Sequence, residues 1–536
     1  MRRVPAGFVT CLALWLLVHP GFAAAQTRSP APRITAITLD NQNVFDSSDH
    51  SFPARLQNLL HARTRASLIE REFLFQVGQP YDSALVAETE RNLRRLGTFK
   101  LVTIDSVRSD SGVAIHVLTR EIVTAQFQII LKGSGNTFSW GLKPVENNFL
   151  GTLTHVEAGY RHDPDRNTTN LVFSQRRLFN DKIGGTAEWF HRSDGTIVFA
   201  QLTQPFFEAS SRTSATLTFD DRRERILQFR SGDPVPASIS QDRYTLGRAD
   251  YSHALVASPY HYFRIGGAAQ VRRDDYTSDS LYAANGFPVR SVTGAFGVYA
   301  EVSRINKLKV FGFQSLSSEE DVDLSTTVTA SLFAAPSGLG YGAGHAGLAP
   351  GFSVHTGVQF PHGFAYADGY ATGLYSGGAL DSGSVGVSAT AVWMPQRRHQ
   401  LLVHGEANAL KNPVPGTEFD LGFGAGPRAF KQHAFTGDRE YFVTAEYRFT
   451  VGLDVLKVAD LGVAAFVDEG GAWWSTDPRR SGWDVGVGLR AAFGHALANV
   501  SRLDVAWRGA QPGLPGGWTY FVGTGLSFTT SPRGTR

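Results

Sequence analysis

The stretch Trp518–Phe528, WTYFVGTGLSF, alternates face by face and ends on an aromatic residue. Trp518, Tyr520, Val522, Leu526 and Phe528 point one way, and Thr519, Phe521, Gly523, Gly525 and Ser527 the other. One apolar face and one small or polar face suit the wall of a membrane barrel, with lipid outside and water inside. A soluble sandwich strand has the same period, so the rest of the chain has to decide between them. Gly523, Leu526 and Phe528 are the residues that mark this segment as a closing strand.

The other end of the chain favours the barrel. Arg2 and Arg3 precede an apolar run from Phe8 to Val18, followed by Pro20 and Phe22-Ala23-Ala24-Ala25-Gln26. This is the pattern of a secretory signal peptide over residues 1–25. The run is shorter than the roughly 18 apolar residues of a membrane helix, and no later run reaches that length. Cys11, the single cysteine, lies within this leader, so the exported chain would carry no disulfide. An exported chain without an apolar helix can span a membrane only as a closed barrel.

Composition agrees. Without Arg2 and Arg3 the chain has 49 basic side chains against 48 acidic ones, which gives no general attraction for polyanions and no sign of a nucleic-acid partner. Only 18% of residues are charged, while glycine (56) and aromatics (12%) are abundant, as barrel bends and interfacial girdles require. The mean hydropathy of −0.15 is compatible with a polar lumen and polar loops.

Residues 33–121 read as a small α+β domain of order β-α-α-β-β. Arg33–Leu39 alternates as a strand. A helix spans about Arg65–Gln76, with Leu68, Ile69, Phe73 and Leu74 on one face, and stops at Gly78. Asp82 or Ser83 can cap a second helix, which turns Leu85, Val86, Leu93 and Leu96 inward and ends at Gly97. Phe99–Val107 and Val113–Thr119 then pair around Ser109-Asp110-Ser111-Gly112. Gly78, Pro80, Tyr81, Asp82, Leu93, Leu96, Gly97, Phe99 and Ile104 follow a march that resembles a POTRA domain, the periplasmic module of the BamA/TamA-type outer-membrane family (bacterial surface antigens). Val44–Arg63 is an insertion relative to that pattern.

From Val123 to Phe528 strand-like alternation recurs. Tyr441, Val443, Ala445, Tyr447, Phe449 and Val451 share one face, with Thr444, Glu446, Arg448 and Thr450 opposite. Trp483–Phe493 repeats the arrangement, with Asp484, Gly486, Gly488 and Arg490 opposite. Five strands fit at the end: 441–451, 461–468, 483–493, 500–507 and 518–528. The fold class expected is an all-β transmembrane barrel of about 16 antiparallel strands over residues 123–528, behind the α+β domain and ahead of a tail, 529–536. The count allows roughly 25 residues per strand and connection, against roughly 10 per membrane crossing.

The resemblance extends into this region. Gly426-Pro427-Arg428-Ala429-Phe430 is similar to the V-R-G-F/Y-like motif that the family carries in a long loop folded into the lumen, before its twelfth strand. Phe466-Val467-Asp468-Glu469-Gly470 is similar to the F-x-D-x-G of its thirteenth strand. The resemblance implies that Arg428 and Phe430 belong to the lumen loop and that Asp468 is the partner of Arg428, a charge-assisted fork suited to pinning a loop. Pro427 and Ala429 depart from the motif, and Ala takes positive φ less freely than Gly, so a different turn is expected at the tip. Glu146-Asn147-Asn148-Phe149-Leu150-Gly151 resembles the family's opening turn, which puts the first strand near Phe127 and the second after Gly151.

No G-x-S-x-G elbow, H-E-x-x-H or Walker loop is present, and the sixteen histidines are scattered, so no enzyme, cofactor or metal site is expected. His355 and His404 fall within strand patterns and read as packed or lumen-facing residues. The resemblance implies an outer-membrane protein with its N-terminal domain in the periplasm, inserting or translocating unfolded outer-membrane or secreted polypeptides. The lipid bilayer and periplasmic chaperones or accessory proteins would be its other partners. A dedicated secretion pore, a passive channel or a surface adhesin are the alternatives.

Overall fold

The computed structural model describes residues 31–45, 58, 61–134, 137–178, 182–230, 232–233, 235–277, 290–339, 346–413, 416–422, 425–455, 459–493, 500–511, 514–526 and 528. The expected leader and the tail 529–536 lie outside the described residues, as does most of the 44–63 insertion.

The N-terminal region folds as a three-stranded sheet with two helices. Gly112–Glu121 is central, pairing parallel with Ile34–Gln42 and antiparallel with Phe99–Ser109. Its core is Ile34, Ile69, Val86, Leu93, Phe99, Val102, Val113, Ile115 and Val117, the apolar face that alternation and helical period assign to the interior. The second helix, Ser83–Arg95, is capped by the Asp82 carboxylate, which accepts from the Ala84 N–H at 2.8 Å. The first is only Ala66–Glu70, shorter than the expected Arg65–Gln76. Beyond it the Leu74 N–H donates to Thr89 Oγ1, and Phe73 stacks on Phe75 at 5.5 Å, which draws the chain out of the helix.

Among the described residues twenty antiparallel strands close into one barrel, from Ala125–Ser134 to Gly517–Thr524. This corrects the expected count of about 16. The estimate allowed too much chain for connections: Arg192 to Gly195, Phe360 to Gly363, Ser376 to Ala379 and Gln396 to His399 are two-residue hairpins. One of the extra strands is Thr137–Glu146, which separates the opening strand from the turn at Gly151, so the strand after that turn is the third. The five C-terminal strands fall close to where alternation put them: Arg439–Val455, Ala459–Trp473, Gly482–Phe493, Ser501–Arg508 and Gly517–Thr524. Their outward residues are apolar (Val485, Val487 and Leu489 are 46%, 62% and 57% exposed, and Trp518 and Tyr520 on the last strand are exposed too), as a bilayer requires, while Asp468, Asp484 and Asp504 are fully buried inside.

Among the described residues, two connections between wall strands enter the lumen. The chain between Lys411 and Arg439 folds in from the end opposite the N-terminal domain, carrying the short ribbon Phe419–Leu421 and Phe435–Gly437. A hairpin, Lys307–Phe311 with Glu319–Asp323, pairs only with itself and enters from the other end. A single apolar cluster joins Phe313 and Leu324 of the hairpin segment to Leu421, Phe430 and Phe435 of the loop.

The domain is fastened to the barrel at the turn before the third strand. Buried Asn148 donates through Nδ2 to Ala62 O (3.0 Å) and Thr64 Oγ1 (2.9 Å), and its Oδ1 accepts from the Leu153 N–H (2.8 Å). Gly151 has φ +72°, and a Cβ there would lie 2.3 Å from Arg63 O, so only glycine fits. Glu72 adds ion pairs to Arg177 (2.8 Å) and Arg176 (3.3 Å).

Candidate functional site: a loop pinned in the lumen

Strand alternation puts Thr444, Glu446 and Arg448 on the lumen side of one strand, with Asp468, then Asp484 and Arg490, then Asp504 on the next three. Register makes Thr444 the neighbour of Asp468, and Asp468 the neighbour of Asp484. The in-folded loop lowers Arg428 into this acidic patch. Its guanidinium gives Nε to Asp468 at 2.8 Å and Nη2 to the other Asp468 oxygen at 3.2 Å. Nη1 reaches Glu446 at 2.7 Å and Asp504 at 3.3 Å. The flat face lies 3.6 Å from the centre of the Phe466 ring. Arg428 is 2% exposed. Burial acts to lower its pKa, but the surrounding carboxylates overcome this and raise it above the ordinary arginine value.

The expected departure at the loop tip takes a specific form. Ala429 keeps an ordinary negative φ and gives its N–H to Asp484 at 2.9 Å, while the positive φ falls on Gly426 (+96°). Phe430 is buried against Phe435, ring centres 5.0 Å apart. The structure thus brings Arg428, Phe430 and Asp468 together. Counted from the C-terminus, the loop precedes the fifth-last strand and Asp468 lies on the fourth-last, so the four additional strands fall earlier in the chain.

Sequence reading missed the rest of the network. Glu446 also accepts from Arg448 Nε (2.5 Å) and Arg490 Nη2 (3.1 Å), and Arg490 pairs with Asp504 (2.5 Å). Alternation had placed Glu446, Arg448 and Arg490 on the lumen face, but not against one another. A second clamp holds the loop at His433, whose ring stacks on Phe229 at 3.4 Å and lies between Asp420 (2.5 Å) and Asp165 (3.3 Å). Burial acts to lower its pKa, and hydrogen bonds to Asp165 and Asp420 more than offset this, raising it to about 9. Beside the clamp is a cavity of about 940 Å³ whose lining includes the charged side chains Arg166, Arg192, Arg222, Arg272, Glu224 and Asp242.

The closing strand departs from expectation. Extended structure stops at Thr524, and Leu526 and Phe528 do not continue it. Gly525 takes φ +73° and turns the chain into the lumen, where the Phe528 ring stacks on His404 at 3.9 Å and is buried. Phe528 therefore does not share the outward face of Trp518 and Tyr520; Gly523 remains in the strand, facing inward. Among the described residues, Phe521↔Ser134 and Val522↔Gly133 are the pairs that join the closing strand to the opening strand. The neighbouring ladder of the closing strand runs from Ser501↔Thr524 to Arg508↔Gly517.

Among the described residues no three His, Cys, Asp or Glu side chains converge as a metal site. No family model and no curated protein matches the chain. Among solved structures it is similar to BamA from Haemophilus ducreyi lacking POTRA domains 1–3, at 11% identity over 92% of this chain and 85% of that one, with a TM-score of 0.39. It is also similar to CdiB from Acinetobacter baumannii (12%; 93% and 74%; 0.39) and CdiB from Escherichia coli (12%; 95% and 93%; 0.47).

Proposed function

We propose that this chain is an outer-membrane barrel of the BamA/TamA type that inserts or translocates unfolded polypeptides, with its N-terminal domain in the periplasm acting as a POTRA module. The observation that carries the reading is the short seam. The register that joins Phe521 to Ser134 would set Leu526 opposite Ile129 and Phe528 opposite Phe127, but those two residues turn inward instead. The backbone of Ala125–Leu131 on the closing side is thereby left as a strand edge, and an extended polypeptide can add to such an edge by main-chain hydrogen bonds. Phe127 and Ile129 on this edge are 78% and 67% exposed, an apolar face suited to an incoming barrel strand. The Arg428-pinned loop supports the same reading, because it stiffens the wall on one side of the seam.

Depletion of the protein in its host, with quantification of the outer-membrane proteome, tests this. A fall in several barrel proteins, reproduced by Arg428→Ala without loss of the protein itself, is the expected result. Loss of one secreted protein alone would instead indicate a dedicated secretion pore, and no change in either would indicate a channel or adhesin.

A further inference from the structure

The hairpin Lys307–Asp323 has no counterpart in the wall, and both of its ends are engaged. Its tip, residues 312–318, lies inside the barrel. Phe313 is 3% exposed and meets Phe364 edge-on at 5.2 Å, and Leu316 packs against Ala492 and Val500. Ser317 Oγ donates to Asp460 at 2.5 Å. The tip is shaped by Glu320, whose carboxylate accepts from the Gln314 and Ser315 N–H groups and from Ser315 Oγ at 2.6 to 3.1 Å. The hairpin's other end meets the N-terminal domain. Arg94, on the second helix, gives Nε and Nη2 to Asp321 at 2.9 and 2.7 Å, and Lys309 reaches Glu90 on the same helix at 3.3 Å.

The tip is also wired upward. Phe313 O accepts from Arg448 Nη1 (3.2 Å) and Gln400 Nε2 (3.3 Å). Arg448 holds Glu446, which holds Arg428 of the in-folded loop. A continuous run of charged and polar contacts therefore links the helix Ser83–Arg95 to the loop through the hairpin. Its two ends differ in kind. The interior carboxylates Glu446 and Asp504 are fully buried, whereas at the domain end Lys309 is 47% and Asp321 16% exposed, where water can replace the partner.

We propose that this hairpin is a releasable plug, held in the lumen by the N-terminal domain through Arg94–Asp321 and Lys309–Glu90, so that displacing the domain withdraws it and opens one half of the barrel. The tether is its weak point, because Lys309 and Asp321 are open to solvent there and the interior carboxylates are not. The proposal requires only a barrel in a bilayer and makes no assumption about what passes through it.

Single-channel conductance of the full-length protein in planar bilayers, with potassium chloride as the probe, tests it. Arg94→Glu sets two carboxylates face to face and should raise the time spent in the open state about tenfold, the factor equivalent to roughly 1.4 kcal/mol. Adding Asp321→Arg restores the pair with its charges exchanged and should return the trace to that of the parent. A lost helix contact alone would not produce that rescue. The pair Arg94→Cys with Asp321→Cys, in a mature chain expected to lack thiols, joined by a reducible bifunctional thiol reagent about as long as the arginine side chain it replaces, should hold the channel shut when cross-linked and release it on reduction. Equal conductance for the parent and Arg94→Glu, or a cross-linked cysteine pair that conducts as freely as its reduced form, would overturn the proposal. Retention of the folded barrel is checked by its heat-dependent gel mobility, and the cysteine pair keeps the test decisive if Arg94→Glu fails to fold.

Discussion

Replacing Arg428 by Ala removes one cation from a group of three carboxylates, but their losses are unequal. Glu446 keeps Arg448 at 2.5 Å and Arg490 at 3.1 Å, and Asp504 keeps Arg490 at 2.5 Å. Asp468 keeps only neutral donors, chiefly Thr444 Oγ1 at 2.6 Å. The cost is therefore that of stranding one buried carboxylate, about 3–5 kcal/mol, and the surviving hydroxyl contact points to the lower end of that range. At about 3 kcal/mol the docking equilibrium of the loop shifts on the order of 100-fold towards release. Hydrogen exchange reads this directly, because the Ala429 amide bonds to Asp484 only while the loop is seated. Faster exchange is expected across 425–437, with the wall strands unchanged. Arg428→Ala combined with Asp468→Asn should cost less than the sum of the two single changes, since the stranded charge is gone. Unchanged exchange in Arg428→Ala, or strict additivity in the double variant, would refute the argument.

His433 supplies a pH dependence of known sign. Its folded pKa, about 9, lies above the ordinary value of 6.5, so its contribution is complete below about pH 6.5 and fades as pH rises through 9. Proteolysis of the loop should accelerate over that window in the parent and show no such dependence in His433→Gln. Gly525→Val places a β-branched residue at φ +73° and should drive the terminal segment back into the extended form. A disulfide between Ile129→Cys and Leu526→Cys should then form readily, and should stay scarce with Gly525 in place; equal yields would sink the idea. Asp82→Ala removes the helix cap and should lower the stability of the N-terminal domain by about 1 kcal/mol, measured by its denaturation midpoint.

Alternation made the inward and outward faces of the five C-terminal strands legible, and with helical period and turns it gave the order of the N-terminal domain; Arg428 and its pairing with Asp468 were legible only through the resemblance of their motifs. It could not show that Glu446, Arg448, Arg490 and Asp504 meet, because that depends on register between strands, which no local pattern encodes. The strand number was misjudged because hairpins of two residues leave little trace between alternating runs. Lys307–Phe311 alternates as a wall strand does, whereas Glu319–Asp323 carries four acids in five residues, a local sign against a lipid face that the strand count passed over. The inward turn of Phe528 was hidden: the face pattern continues through Gly525, and only the φ adopted there breaks it.

Asn148 and Gly151 make the two margins of the seam mechanically unequal. The opening hairpin is stitched to a folded domain by side-chain and backbone bonds on both sides of the turn, whereas the described end of the last strand is a glycine bonded to Val500 O and a short segment held by the packing of Leu526 and Phe528. A force that parts them would leave the first edge standing and peel the last away. The fixed margin would then act as the template and the loose one as the flap, which gives the opening a direction.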